Sequence, residues 1–220
     1  MIPWETLGRA QAPDGAKLVL CRRGDEFVIR VGGRDLMSSR MHGSEEELAR
    51  RACAGLGAGA RVLVGGLGLG YTLRAALDAL PAGASVTVCE LVPAVVEWNR
   101  GPLAPLAGQP LEDPRVTVEV VDVGAVIRRP GKRWDAILLD VDNGPVALTR
   151  RANHVLYGAT GLSVAKAALR LGGVLAIWSA SPDDAFVARL HRAGFEVTVD
   201  TVPARGRAGG SRHTLFFGRA

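Results

Sequence analysis

The sequence predicts an α/β protein in which a mostly parallel, seven-stranded sheet carries helices on both faces and follows a small N-terminal β-meander. Three observations predict it. Arg61 to Val64 opens an apolar run of the kind buried on both faces of a sheet. The chain then turns through Gly65, Gly66, Gly68 and Gly70, after which Leu73, Ala76, Leu77 and Leu80 recur at helical spacing. From Arg61 onward strands and helices alternate, the pattern of a parallel sheet with crossover helices. Before Arg61 the apolar runs are short and divided by turn residues, which favours antiparallel pairing.

Taken in order, Lys17 to Cys21 and Glu26 to Val31 form a hairpin across Arg22-Arg23-Gly24-Asp25, with Phe27, Ile29 and Val31 alternating. Gly32-Gly33 turns the chain into a third strand near Asp35 to Ser38. Arg40 and His42 lie in the loop towards the main sheet, and His42 reads as a surface histidine. Ser44 with Glu47 three residues later makes a capping box for a helix bearing Leu48, Ala52 and Leu56, and Glu45-Glu46-Glu47 reads as its acidic first turn. Residues 1–43 are thus the meander and 44–220 the α/β domain.

Within that domain the strands after the first are Ser85 to Cys89, Val116 to Val121, Asp135 to Leu139 and Val174 to Trp178. Phe195 to Val202 and His213 to Phe217 follow as a final antiparallel pair. Pro93 opens a helix that Gly101 ends. A second helix, Thr160 to Leu171, leads through Gly172-Gly173 into the fifth strand, where Trp178 reads as a core residue. A third is capped by Ser181, with Pro182 first, Asp183 and Asp184 in its opening turn and Gly194 after it.

Composition narrows the classes. No apolar run approaches the roughly 20 residues of a membrane span, and Met1 to Ala10 lacks the basic-then-apolar order of a signal peptide, so a cytoplasmic protein without a membrane partner is expected. Cys21, Cys53 and Cys89 are odd in number and widely spaced; they read as small core residues in a reducing compartment, and no metal is expected. The net charge of +5 comes mainly from scattered arginine pairs such as Arg22-Arg23 and Arg150-Arg151, with no aromatic interleaving, so nucleic acid is not an expected partner.

The glycine turn carries the chemistry. A strand that turns through glycines into a helix leaves N–H groups and the positive end of the helix dipole facing one crevice, open to a nucleoside. Gly66, Gly68 and Gly70 read G-x-G-x-G, because Tyr71 stands where the third glycine of the dinucleotide fingerprint would fall. Ligands of open α/β sheets bind beyond the carboxyl ends of the strands, which here carry Gly66, Glu90, Asp122 and Asp140. Glu90 is placed to accept hydrogen bonds from a ribose, Asp122 from an adenine amino group, and Asp140 to face the reacting centre.

From about Gly32 to the C-terminus the chain resembles the spermidine synthases, or polyamine aminopropyltransferases, within the class I S-adenosylmethionine-dependent methyltransferase superfamily. VLVGGLGLGYTLRAAL is similar to that family's glycine loop and helix, CELVPAVVEWNRGPL to its ribose strand, DPRVTVEVVDV to its adenine strand, WDAILLDVDNGP to its catalytic strand and LGGVLAIWSASP to its fifth strand. The resemblance implies a Rossmann-like fold, decarboxylated S-adenosylmethionine as co-substrate, an amine acceptor and a homodimer. Gly66, Gly68, Gly70, Glu90 and Asp122 would hold the cofactor, and Asp140 would be catalytic.

Three departures stand out. Gly68 and Leu69 occupy positions where the family's glycine loop carries an aspartate, Asn143 stands where a second aspartate follows the catalytic one, and Val92 replaces an acid after the ribose carboxylate. An alkylamine of pKa about 10.4 enters protonated, so a carboxylate must take or orient its proton. Asp140 is assigned that role, Asp142 or Asn143 positions the acceptor, and Tyr157 is assigned to an apolar wall. A methyltransferase using S-adenosylmethionine itself is the alternative, favoured by the plain glycine loop. A non-catalytic protein that binds an adenosyl ligand is a third reading.

Overall fold

The computed structural model describes residues 2–130, 134–141 and 155–220. Its first sheet is antiparallel and ordered as in the chain: β1 (Glu5–Gln11), β2 (Lys17–Arg23), β3 (Glu26–Val31) and β4 (Arg34–Ser38). The sequence does not announce β1. ETLGRAQ lacks apolar alternation and is held by backbone pairing to β2, with an irregularity between Thr6 and Gly8. A side chain at Gly8 would press on Trp98, its Cβ only 2.5 Å from the indole nitrogen.

The main sheet is built from β5 (Arg61–Gly65), β6 (Ser85–Glu90), β7 (Val116–Val120), β8 (Trp134–Leu139), β9 (Leu169–Ser179), β10 (Glu196–Pro203) and β11 (Arg212–Arg219). Their order is β10-β11-β9-β8-β5-β6-β7. β5 to β9 pair in parallel and β11 runs antiparallel to both its neighbours. This is the expected mostly parallel seven-stranded sheet. Val62, Leu63 and Val64 of central β5 are fully buried, as a strand covered on both faces requires. Successive strands step outward on one side of β5 and then on the other, so a crevice opens at the carboxyl ends where the order reverses.

Helices cover both faces: α1 (Gly43–Cys53), α2 (Tyr71–Ala79), α3 (Pro93–Arg100), α4 (Val123–Ile127), α5 (Ala159–Ala168) and α6 (Asp184–Arg192). One core layer joins Leu48, Leu73, Leu77 and Val64 under α1 to α3, and the other joins Trp134, Leu162, Phe186 and Phe216 under α4 to α6. Each buried large side chain contributes about 1.5–3 kcal/mol. No helix among the described residues is long and apolar enough to cross a membrane.

Three boundaries differ from the sequence reading. α1 starts at Gly43 with His42 at the cap position and no side-chain cap bond, so Ser44 is no cap; its hydroxyl is engaged elsewhere. α5 stops at Ala168 because Leu169 already pairs with Trp134, and the residues before Val174 bulge out of β9, leaving Leu171 fully exposed. α6 is capped by Asp183, which accepts the Phe186 N–H at 2.8 Å, while the Ser181 N–H turns back to the Ser179 hydroxyl.

Candidate active site

The glycine turn is wedged between the end of β8 and the N-terminal sheet. Gly66 has φ of 89°, and a Cβ there would overlap the Asp140 carbonyl oxygen; Gly68 has φ of 52°, and a Cβ there would lie 2.9 Å from the Met37 Sδ of β4. Both positions therefore require glycine for conformation and for close approach. Gly70 is placed differently: it heads α2 against the Asn99 side chain, away from the crevice lining.

A cleft of about 350 Å³ lies between the two sheets, bordered by Gly66, Gly68, Glu90, Asp122 and Asp140 on one side and by Leu18, Ile29 and Met37 on the other. Glu90 accepts the Leu67 N–H at 3.1 Å on one oxygen and the Val92 N–H at 2.9 Å on the other. Burial pushes its pKa up, and these backbone bonds oppose the shift. It thus fastens the glycine loop to the start of α3 while bordering the cleft. Asp122 caps α4 by accepting the Ala125 N–H at 3.2 Å and borders the same space.

Beyond Gly68 the cleft adjoins a smaller chamber of about 60 Å³, and Met37 and Asp140 border both. Met41, Tyr71 and Trp178 wall the chamber, and two carboxylates, Glu45 and Asp140, face into it. Asp140 Oδ2 accepts the Thr72 hydroxyl at 2.6 Å; burial pushes its pKa up to about 6 against that bond. Glu45 Oε2 accepts the Ser44 hydroxyl at 2.5 Å; burial first and the Asp140 charge second push its pKa up to about 8. No basic side chain among the described residues offsets either group. The pair therefore holds about one proton near neutral pH, an arrangement suited to receiving a proton or a cation.

Glu45 is the site residue the sequence reading passed over. It stands four and eight residues before Ala49 and Cys53, both fully buried, so helical periodicity turns it inward with them. Glu46 and Glu47 turn out to Arg50 and Arg51, at 3.5 and 2.5 Å. Tyr157 and Trp178 exchange their expected parts. Tyr157 lines neither cavity; it is buried on the α5 side of the sheet, edge-on to Phe186 at 5.7 Å, so it is a core residue and not a wall. Trp178 is the wall. His42 is not a free surface histidine, since it stacks on Tyr71 at 4.0 Å and contacts Glu46 at 2.7 Å through Nδ1. Arg40 pairs with Glu26 at 3.4 Å. Asp142 and Asn143 lie outside the described residues.

No family model matches the chain. It is 30% identical over 193 residues to the polyamine aminopropyltransferase of Mycobacterium tuberculosis and equally to that of Mycobacterium bovis, an alignment covering 83% of this chain and 35% of the relative. The chain thus spans about a third of the length of the curated relatives it matches. Among solved structures it is similar to spermidine synthase from Thermotoga maritima, with a TM-score of 0.74, 19% identity and coverage of 97% of this chain and 72% of that one. A spermidine synthase in complex with the transition state analogue AdoDATO gives 0.73, with 18% identity over 97% of this chain and 72% of the other. A probable spermidine synthase from Corynebacterium glutamicum gives 0.66, with 17% identity over 96% and 79%. At these identities the structural likeness establishes the fold.

Proposed function

The chain is spermidine synthase-like in sequence and fold, and on that premise we propose that it is a transferase that moves an aminopropyl group from decarboxylated S-adenosylmethionine to a small primary amine such as a short diamine. The observation that carries this reading is the chamber in which Glu45 and Asp140 present two carboxylates, offset by no basic side chain among the described residues, beside the glycine turn. An acceptor ammonium enters as the missing cation. It gives a proton to Asp140, and the freed amine attacks the carbon bound to the sulfonium. A C–N bond forms, the C–S bond breaks with its electron pair passing to sulfur, and methylthioadenosine leaves.

In this reading the adenosyl part lies along Gly66 and Gly68, with its ribose at Glu90 and its adenine near Asp122. Asp142 and Asn143 orient the acceptor. The chamber carboxylates supply charge that Gly68 and Leu69 lack, and the apolar walls of Met41, Tyr71 and Trp178 exclude water and hold an alkyl chain. Residues 1–43 serve as a cover on the donor cleft of the catalytic domain, 44–220. The three buried, unpaired cysteines fit a reducing, cytoplasmic setting. A homodimer is the working form, to be checked by sedimentation.

The test is incubation with decarboxylated and ordinary S-adenosylmethionine and a mixture of short diamines, read by mass spectrometry. Methylthioadenosine above background is the expected product. S-adenosylhomocysteine without methylthioadenosine would make the protein a methyltransferase, and neither product with adenosyl binding retained would make it a binding protein.

A further inference from the structure

We propose that Glu45, Ser44 and His213 form a proton relay that carries the acceptor's proton from the chamber to the protein surface. The relay rests on the aminopropyl-transfer reading and deepens it. Ser44 is completely buried, and its hydroxyl oxygen lies 2.5 Å from Glu45 Oε2, 2.8 Å from His213 Nδ1 and 3.0 Å from Trp178 Nε1. The indole is a donor only, so it occupies one lone pair of the hydroxyl. One lone pair and one proton remain for two neighbours. Whichever of Glu45 and His213 donates to Ser44, the other accepts from it.

Two arrangements satisfy this rule. With Glu45 ionised, Ser44 donates to the carboxylate and accepts from His213 Nδ1–H. With Glu45 protonated, the carboxyl donates to Ser44, Ser44 donates to Nδ1, and the neutral ring carries its proton on Nε2. Passing from one to the other moves a proton along the chain. The Glu45 O–H breaks as a Ser44 O–H forms, Ser44 gives its own proton to Nδ1, and Nε2 releases one to water; no electrons are exchanged. Asp140 borders the same chamber; in the relay the acceptor's proton enters there and crosses the chamber to Glu45, the Asp140 O–H breaking as the O–H of the emptied Glu45 carboxylate re-forms.

The surroundings hold the relay in place. His213 sits edge-on to Trp178, with ring centroids 4.6 Å apart at 71°, and is partly buried. Burial lowers its pKa, which keeps the ring neutral and able to pass a proton on. Among the described residues, the other ionisable groups near Glu45 are Glu46 and His42 on α1, which contact each other at 2.7 Å, and Tyr71 on α2, whose phenol burial pushes up to about 12. Neither the Glu46–His42 pair nor Tyr71 lies on the path.

The test is nitrogen NMR of the protein labelled in histidine, with the His213 signals identified by their loss in His213→Gln. As pH falls through the titration of Glu45, above the range in which the ring itself charges, the wild-type ring is expected to exchange its Nδ1–H tautomer for the Nε2–H form. Glu45→Gln should show no exchange there. A ring that keeps one tautomer until it charges, or exchanges alike in both proteins, overturns the relay. This readout needs no turnover, so its failure is distinct from a failure to form methylthioadenosine. In turnover, Ser44→Ala is expected to lower kcat about tenfold or more with KM unchanged, and imidazole in the buffer should restore rate to His213→Ala. Wild-type kcat in Ser44→Ala would also overturn the proposal.

Discussion

Glu45 on α1 and Asp140 at the end of β8 present their carboxylates to one small chamber, and each raises the energy of the other's ionised form. A buried like-charged pair is unfavourable for folding, and persists where a ligand or a proton completes it.

Stability should depend on pH through Glu45. Its pKa is raised on folding from 4.5 to about 8, so between those values the folded chain binds a proton that the unfolded chain has lost. The contribution is fully present below the lower value and is lost as pH rises through the upper one; Asp140, raised from 3.8 to about 6, acts in the same sense. Thermal melts of Glu45→Gln should therefore decline less than wild type between about pH 5 and pH 9, at about 2–4 °C in Tm per kcal/mol for a chain of this size. Parallel curves would mean that Glu45 is ionised at no cost.

Asp140→Asn should lower turnover by about 100-fold or more while leaving donor affinity nearly intact, because an amide cannot take the acceptor's proton. The amide oxygen still accepts the Thr72 hydroxyl, so the side chain stays in place. A variant retaining more than about a tenth of the rate would assign the base elsewhere.

Glu90→Gln should weaken methylthioadenosine binding by about 1–3 kcal/mol, measured by calorimetry. The change also points an amide N–H₂ at one of the two backbone N–H groups the carboxylate now satisfies, so Tm should fall as well. Unchanged affinity would put the ribose somewhere else.

Two alanine variants should differ in a set order. Gly66→Ala drives a Cβ into the Asp140 backbone and should cost more than about 2 kcal/mol, with turnover lost. Gly68→Ala meets only the flexible end of Met37 and should cost about 1–2 kcal/mol for its left-handed backbone. Equal losses in Tm would show that conformation rather than contact sets both.

The parallel strands were legible because burial on both faces leaves an unbroken apolar run, as in Val62 to Val64. β1 was not, since its pairing rests on the backbone and its side chains carry no pattern. At the site, Glu90 and Asp140 could be read from their place at strand ends. Glu45 was hidden by a sufficient local reason for an acid in a first helical turn, although the spacing to Ala49 and Cys53 already turned it inward. The aromatic roles were decided by sheet face: Trp178 alternates with Ile177 and so falls on the α1 side, a period-of-two argument that was available for Trp178 and not for Tyr157.

The Ser44 contact with His213 joins residues 169 positions apart. During synthesis the glycine turn, Glu45 and the first parallel strands emerge well before β11 exists, so on a ribosome-bound chain the cleft residues can assemble while Ser44 still lacks its histidine. His213 reaches Ser44, behind the chamber carboxylate, only when that strand inserts between β9 and β10. Proteolytic loss of β11 would take His213 away from Ser44, so such damage should be felt first at the Glu45 side of the chamber and only later along Gly66 and Glu90.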